Sequence, residues 1–341
     1  MAQAYTADDV ADRPGPRGGR PGTSRPGSRW RDGGTWRRGW IPAALALLTG
    51  LVMLCHAAVP NTVGNLGSLL ETFLPWVGLA VPVLLVCALL RRSATALAAL
   101  LVPAVVWLNL FGGLIADKSV TGGNLTVVTH NVNAGNPDPA ATAKDVAAAG
   151  ADVVALEELT GQALPVYEHG LAAAYPYRAV EGTVALWSKY PLHDTAPVDI
   201  RLGWVRALRT TVTTPHGDVA VYVAHMPSVR VQLHGGFTAD QRDASAAALG
   251  RAISAEPLPR VVLLGDLNGT MNDRSLAPLT AQMRSAQGAA GDGFGFSWPA
   301  AFPMARIDQI MVKGVVPTRS RVLPDTGSDH LPVAATLRVE G

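Results

Sequence analysis

The sequence predicts an α/β fold of two β-sheets with flanking helices, set behind three membrane-spanning helices. Two observations predict it: three long apolar runs before residue 116, and from Asn124 onward a dense series of short strand-like runs with few helices between them. A third observation points to a site, because many of those strand-like runs end in a carboxylate, an amide or a histidine.

Residues 1–39 are rich in Gly, Pro, Arg and Ser and almost free of apolar periodicity. Such a segment buries too little surface to offset its ordering entropy, which predicts a disordered basic tail. Through Trp40 there are 8 Lys+Arg against 4 Asp+Glu; from Thr121 to Gly341 there are 17 against 20. The basic character therefore belongs to the tail. The large folded part has no overall basic footprint for gripping nucleic acid, although a cleft could be basic locally.

Residues 40–116 hold the three apolar runs, Ile41–Val59, Leu69–Leu90 and Ala94–Ile115. Each is near or above the roughly 18–20 residues a helix needs to cross a bilayer core. His56 and Glu71 lie near span ends, where a polar side chain can reach the interface, and Trp40 fits an interfacial anchor. No charge sits at a span centre, so the spans read as an anchor and not as a transporter or sensor. Arg29, Arg31, Arg37 and Arg38 precede the first run, Arg91-Arg92 separate the second from the third, and Pro60–Ser68 is uncharged. By the positive-inside rule the N-terminus is cytoplasmic and everything after Ile115 lies outside the cell, in a multi-pass plasma-membrane protein. Cys55 and Cys87 both lie in the apolar runs, which excludes a disulfide framework or zinc-thiolate site from the remainder.

After a linker at 117–123, residues 124–341 read as one domain. Strand-like runs fall at Leu125–Thr129, Val153–Leu156, Val184–Trp187, Ala207–Thr213, Val219–Ala224, Val261–Leu264, Ile307–Val312 and Val333–Val339. Helical patterns fall at Pro139–Ala149, Gly161–Ala174 and Thr238–Ala255. The central stretch is Val261–Leu264 followed by Gly265-Asp266-Leu267-Asn268-Gly269. Asp266 and Asn268 alternate around Leu267 and so share a face, side by side at a strand's end. Asp, Asn and Gly also make ordinary turns, so the stretch alone leaves turn and site evenly balanced. Other strand ends tip the balance: Asn131 with Asn133, Glu157-Glu158, His225, Arg306-Ile307-Asp308 and Ser328-Asp329-His330.

This ordered set resembles the endonuclease/exonuclease/phosphatase superfamily, with its DNase I-like fold. The resemblance rests on Thr129-His130-Asn131, on Asp152–Glu158 leading to a metal-ligand position, on Leu186-Trp187-Ser188-Lys189-Tyr190-Pro191, and on a strand ending in His225. Gly265-Asp266-Leu267-Asn268, Arg306-Ile307-Asp308 and Ser328-Asp329-His330 complete it. It spans about Asn124 to Val339, and Glu157 stands where the family customarily has Gln. The resemblance implies a four-layer α/β sandwich and a divalent-metal-dependent phosphoesterase acting on a nucleic acid or a phospholipid or phosphoinositide head group. It implies Glu158 and Asn131, with Asp329 directly or through water, as ligands of Mg²⁺ or Mn²⁺. His330 would contact the phosphate or move a proton, with Asp308 fixing its tautomer. Asp266 would orient or deprotonate the attacking water, Asn268 would donate to a phosphate oxygen, and His225 would contact the phosphate or protonate the leaving group. The division of acid and base among His225, His330 and Asp266 stays open. Asn133 is a candidate for a second metal position, and Arg206, Arg209 and Arg230 for a locally basic cleft. A non-catalytic binding module on the same fold is the rival reading; it would be expected to lose some of these positions.

Overall fold

The computed structural model describes Gly34 and residues 38–62, 64–228 and 239–340. Nearly all of the expected basic tail lies outside the described residues, as do Arg230 and the expected helix start at Thr238. The strands after residue 124 form two mixed six-stranded sheets. The first contains β1 (Leu125–Asn131), β2 (Val153–Glu157), β3 (Tyr177–Glu181), β4 (Val184–Ser188), β11 (Val316–Val322) and β12 (Val333–Arg338), in the order β11-β12-β1-β2-β4-β3. The second contains β5 (Leu192–Pro197), β6 (Ala207–Thr214), β7 (Gly217–Ala224), β8 (Val261–Asp266), β9 (Arg284–Ser285) and β10 (Asp308–Lys313), in the order β5-β6-β7-β8-β10-β9.

Strands β2, β4 and β8 are buried along their whole length, which is why they read as continuous apolar runs instead of alternating ones. Val127, Ala155 and Leu186 of one sheet pack on Val221, Leu264 and Ile310 of the other. The next residues along, Val128, Val154 and Leu156, face outward onto helices α6 (Pro139–Ala148) and α7 (Leu164–Leu171). On the opposite side Tyr222 and Leu263 meet Leu249 and Ile253 of α8 (Ala239–Ser254). The result is a helix–sheet–sheet–helix sandwich. Helix α6 starts where the sequence dictates: the Asp138 side chain accepts from the Ala141 amide at 3.0 Å, and Pro139 takes the first turn, where no donor is needed.

Topology brings the functional ends together. Strands β1 and β2 run parallel, as do β7 and β8, so all four finish at one end of the sandwich. Strands β10 and β12 run antiparallel to β8 and β1 and therefore begin at that end.

The amino-terminal region departs from the expected three spans. Among the described residues, one helix is long and apolar enough to cross a membrane: α5 (Ala94–Phe111) with its short extension to Leu114, 21 residues together. The expected first span is the 15-residue helix α1 (Trp40–Leu54). The expected second is bent by 76° between α2 (Leu66–Thr72) and the stretch Leu74–Leu90, which holds α3 (Leu74–Val77) and α4 (Ala80–Leu90). The cause is legible. Pro75 has no amide to donate to the Glu71 carbonyl, which accepts instead from Thr270 Oγ1 at 3.1 Å. The Glu71 side chain is fully buried beside Asp273 and Arg274 of the loop after β8 and not exposed at a lipid interface. The stretch 117–123 is tied down as well: the Val120 amide donates to the Thr318 carbonyl on edge strand β11.

Candidate active site

The central turn follows from one glycine. Gly265 has φ +145°, and a Cβ there would lie 1.9 Å from the Ala224 carbonyl oxygen of the parallel neighbour β7. Only glycine allows the two backbones to approach, which aligns the ends of β7 and β8. The chain then turns sharply: the Asn268 amide donates to Asp266 Oδ1 at 2.9 Å, with Asn268 at φ 47°. Asp266 is buried, and Asp308 is its registered partner across β8 and β10.

Around Asp266 the other strand ends converge. Asn131 Nδ2 donates to Asp266 Oδ2 at 3.0 Å and to Glu158 Oε1 at 3.1 Å. His225 Nε2 lies 3.6 Å from Asp266 Oδ2 and 3.5 Å from Glu158 Oε1, and His330 Nε2 lies 3.8 Å from Asp266 Oδ2. Asp308 Oδ2 accepts from His330 Nδ1 at 2.9 Å and from Ser297 Oγ at 2.6 Å. Ser328 Oγ donates to the Asn131 carbonyl at 2.7 Å, so the loop carrying Asp329-His330 is fastened to the end of β1. Asn131, Glu158, His225, Asp266, Asn268, Asp308 and His330 are therefore one cluster.

Its electrostatics divide the titratable groups. Burial alone would lower His330, but the Asp308 and Asp266 carboxylates outweigh it and raise the imidazole to about 10, with exposed Asp329 adding to the effect. Burial pushes Asp266 up to about 7; Asp308 adds to this, while the His330 cation and the Asn268 and Asn131 donors oppose it. His225 moves the other way, well below the ordinary histidine range, through burial first and then the Arg206 and His330 charges. A cation, a carboxyl that titrates near neutrality and a neutral imidazole thus sit within one cleft.

A profile of the Endonuclease/Exonuclease/phosphatase family matches residues 128–330. The chain belongs to this family. No curated protein matched the sequence. Solved structures with the same fold include Danio rerio TDP2 complexed with a single-strand DNA product, at 18% identity and TM-score 0.53, covering 63% of this chain and 98% of that one. A beta toxin from Staphylococcus aureus with bound magnesium ions matches at 16% identity and TM-score 0.52, covering 62% and 99%. The mannosyl-6-phosphatase of Bacteroides thetaiotaomicron matches at 16% identity and TM-score 0.51, covering 63% and 99%. Members of the endonuclease/exonuclease/phosphatase family are usually metal-dependent phosphoesterases or nucleases, and the two mixed sheets of this chain have that fold.

The donor set suits a hard cation at Glu158. That residue leaves the sheet at φ 62°, its side chain is 31% exposed, and its two oxygens accept from Asn131 and from the Ala134 amide. Asp266, Asp308 and His330 also bring ligand atoms within 4.8 Å of one another. Asp308 also accepts from His330 Nδ1 and Ser297 Oγ, which links that trio as a hydrogen-bonded relay.

Several expected positions turn out otherwise. Both Asn268 Nδ2 hydrogens are engaged, by the Met226 carbonyl at 2.9 Å and Asp266 Oδ2 at 3.1 Å, so Asn268 orients Asp266 instead of presenting a donor to phosphate. Asn133 Oδ1 accepts from the Gly135 amide and serves its own turn, which gives a second metal position no support. Arg209 pairs with Glu256 at 2.8 Å in the outer layer, away from the cleft. Arg306 lies buried with Nη1 donating to the Phe294 carbonyl. Glu157 shares the inter-sheet face with Val153 and Ala155; burial raises its carboxyl well above the usual range, and Oε1 accepts from Thr129 Oγ1 at 2.8 Å. A neutral carboxyl there takes the place of the family's amide.

The sequence reading missed Ser297, which lies in a Gly- and Phe-rich loop without periodicity, and Trp204. Trp204 is 56% exposed, carries the Arg206 guanidinium 4.9 Å above its ring, and joins Glu158 and His225 in lining a cavity of about 420 Å³. Arg206 also touches the His225 ring, as the pairing of the His225 amide with the Arg206 carbonyl dictates.

Proposed function

We propose that this chain is a membrane-attached, extracytoplasmic phosphodiesterase that uses Mg²⁺ or Mn²⁺. The observation that carries the reading is the convergence of Asn131, Glu158, His225, Asp266, Asn268, Asp308 and His330 at one end of the sandwich. Glu158, with Asn131 and exposed Asp329, would hold the divalent ion, which when bound neutralises phosphate charge. His330, kept cationic by Asp308, draws the phosphate into the cleft by charge-assisted hydrogen bonding. Asp266, with a pKa near neutrality, accepts a proton from the attacking water, and Asn268 holds it in place. Neutral His225 faces the same opening beside Arg206 and is placed to hydrogen-bond the leaving-group oxygen without protonating it.

Trp204 and Arg206 favour a substrate that presents a flat or sugar-like group beside the phosphate, stacked on the indole. Membrane attachment is supported by α5 and by the exposed leucines of α1, α4 and α5, among them Leu47, Leu51, Leu89 and Leu101. The orientation is supported by the arrangement of ends. A Cβ at Gly39 would touch Ser93, so Arg38 and Arg91-Arg92 lie at one end of the helices, while Trp76 and Trp107 meet the catalytic domain at the other.

The purified full-length chain in detergent is expected to hydrolyse bis(p-nitrophenyl) phosphate, to lose activity in EDTA and to regain it with Mg²⁺. A panel of DNA, RNA, sphingomyelin and inositol phosphates then assigns the substrate. Binding to any of these without hydrolysis in Mg²⁺ or Mn²⁺ would establish the binding-module reading instead.

A further inference from the structure

Arg242 lies on α8 and is fully buried. Its Nη1 donates to the Asn268 carbonyl at 2.8 Å and lies 2.8 Å from Asp273 Oδ2, while Nη2 donates to Ser68 Oγ at 2.8 Å. One guanidinium therefore joins the amino-terminal helical segment, the crossover helix and the loop after β8. Removing a guanidinium from water is costly; here Nη1 and Nη2 are met while buried Nε has no hydrogen-bond partner among the described residues, and the planar fork fixes the relative placement of what its two Nη atoms bind. Ser68 is itself fully buried and held: its amide donates to Asn61 Oδ1 at 2.8 Å, and its hydroxyl accepts from Asn61 Nδ2 at 3.1 Å. At the other end of the link, Asn268 sits in the left-handed region at φ 47°, its backbone amide donating to Asp266 Oδ1 and its side-chain amide to Asp266 Oδ2. Arg242 thus fixes the Asn268 backbone at its carbonyl, and the side chain of that same residue donates to Asp266 Oδ2 at 3.1 Å.

We propose that Ser68 and Arg242 are positioning residues, through which the helical segment preceding the catalytic fold sets the geometry of the Asp266–Asn268 turn. The proposal rests on the hydrolytic reading of the site. Under it the helical segment completes the active site as well as anchoring it. Arg274 provides the contrast: its Nη1 donates to the Ala57 and Val59 carbonyls, each at 2.6 Å, and so ties down the same segment without touching Asn268.

The test uses the full-length chain in detergent micelles with Mg²⁺ and bis(p-nitrophenyl) phosphate, comparing wild type with Ser68→Ala and Arg274→Ala. Hydrogen exchange over residues 266–271 is followed in parallel. Ser68→Ala deletes one small buried acceptor and is expected to lower kcat about tenfold, with KM changed less than about twofold, and to speed exchange in that turn. Arg274→Ala is expected to lower the melting temperature while leaving kcat unchanged. Wild-type kcat and exchange in Ser68→Ala would overturn the proposal, as would an equal loss of kcat in Arg274→Ala, which would mark general destabilisation. If the wild type hydrolyses nothing while Ser68→Ala still speeds exchange, the hydrolytic reading falls and the structural link is upheld.

Discussion

His330 owes its charge to Asp308, whose carboxylate it meets at 2.9 Å in a buried setting. Asp308→Asn keeps the shape and removes the charge, so His330 should return towards an ordinary histidine value and kcat should fall by about 10²–10⁴-fold, read from steady-state hydrolysis. A second residue pair bears on stability. Burial would raise Glu256, but donors from Arg209, Tyr222 and the Leu258 amide outweigh it and hold the carboxyl below the usual range. A depressed folded-state pKa contributes stability that is present above the unfolded value and is lost as pH falls through the folded one. Glu256→Gln is therefore expected to cost about 2 kcal/mol at pH 7 and to flatten the acid limb of a melting-temperature profile. An unchanged acid limb would refute that account.

At the scale of elements, the turn from β8 is the most constrained feature. Gly265→Ala would set a methyl 1.9 Å from a backbone carbonyl at a φ that side chains avoid, so β7 and β8 must part. We expect a loss of about 3 kcal/mol or more, a fall in melting temperature of roughly 6–12 °C, and loss of activity with it. The strands that carry site residues were legible because both of their faces are buried: Val261–Leu264 and Val153–Leu156 are unbroken apolar runs. Edge and near-edge strands were not. Leu192–Pro197 is exposed over most of its length and includes His193 and Asp194, and Val316–Val322 mixes Pro, Arg and Ser, so hydrogen bonding to a neighbour makes them strands, not composition.

At the scale of the molecule, the helical segment and the sandwich share an interface. Trp76 Nε1 donates to the Met304 carbonyl at 2.8 Å, its ring stacks on Phe296, and Phe294 packs against Trp107 and Phe111. Phe296 immediately precedes Ser297, which donates to Asp308, so this aromatic contact supports the relay from behind. A fragment beginning at Asn124 would expose Phe294 and Phe296 and strip partners from Arg242, Thr270 and Arg274. It is expected to aggregate, or to melt well below the full chain in calorimetry. Protease treatment of intact cells should degrade the carboxy-terminal domain; full protection would reverse the proposed orientation.

Taken alone, the sequence determined an α/β pattern of apolar strands each followed within two or three residues by a carboxylate, amide or histidine, which needs only backbone periodicity to be read; the resemblance of those motifs to a known family then implied the sandwich. It also marked Asp266, Glu158, His225 and His330 as the residues to watch. Tertiary structure alone decided what depends on partners distant in the chain. The Asn268 amide turned inward because Asp266 and the Met226 carbonyl lie beside it, and Arg209 left the cleft for Glu256. Glu71 was buried against the loop after β8, where Thr270 claimed the carbonyl that Pro75 could not serve, and the expected second span became a bend. Hydropathy measures what a helix could do in a bilayer; it does not register a proline's missing hydrogen bond being made good by a residue nearly two hundred positions away.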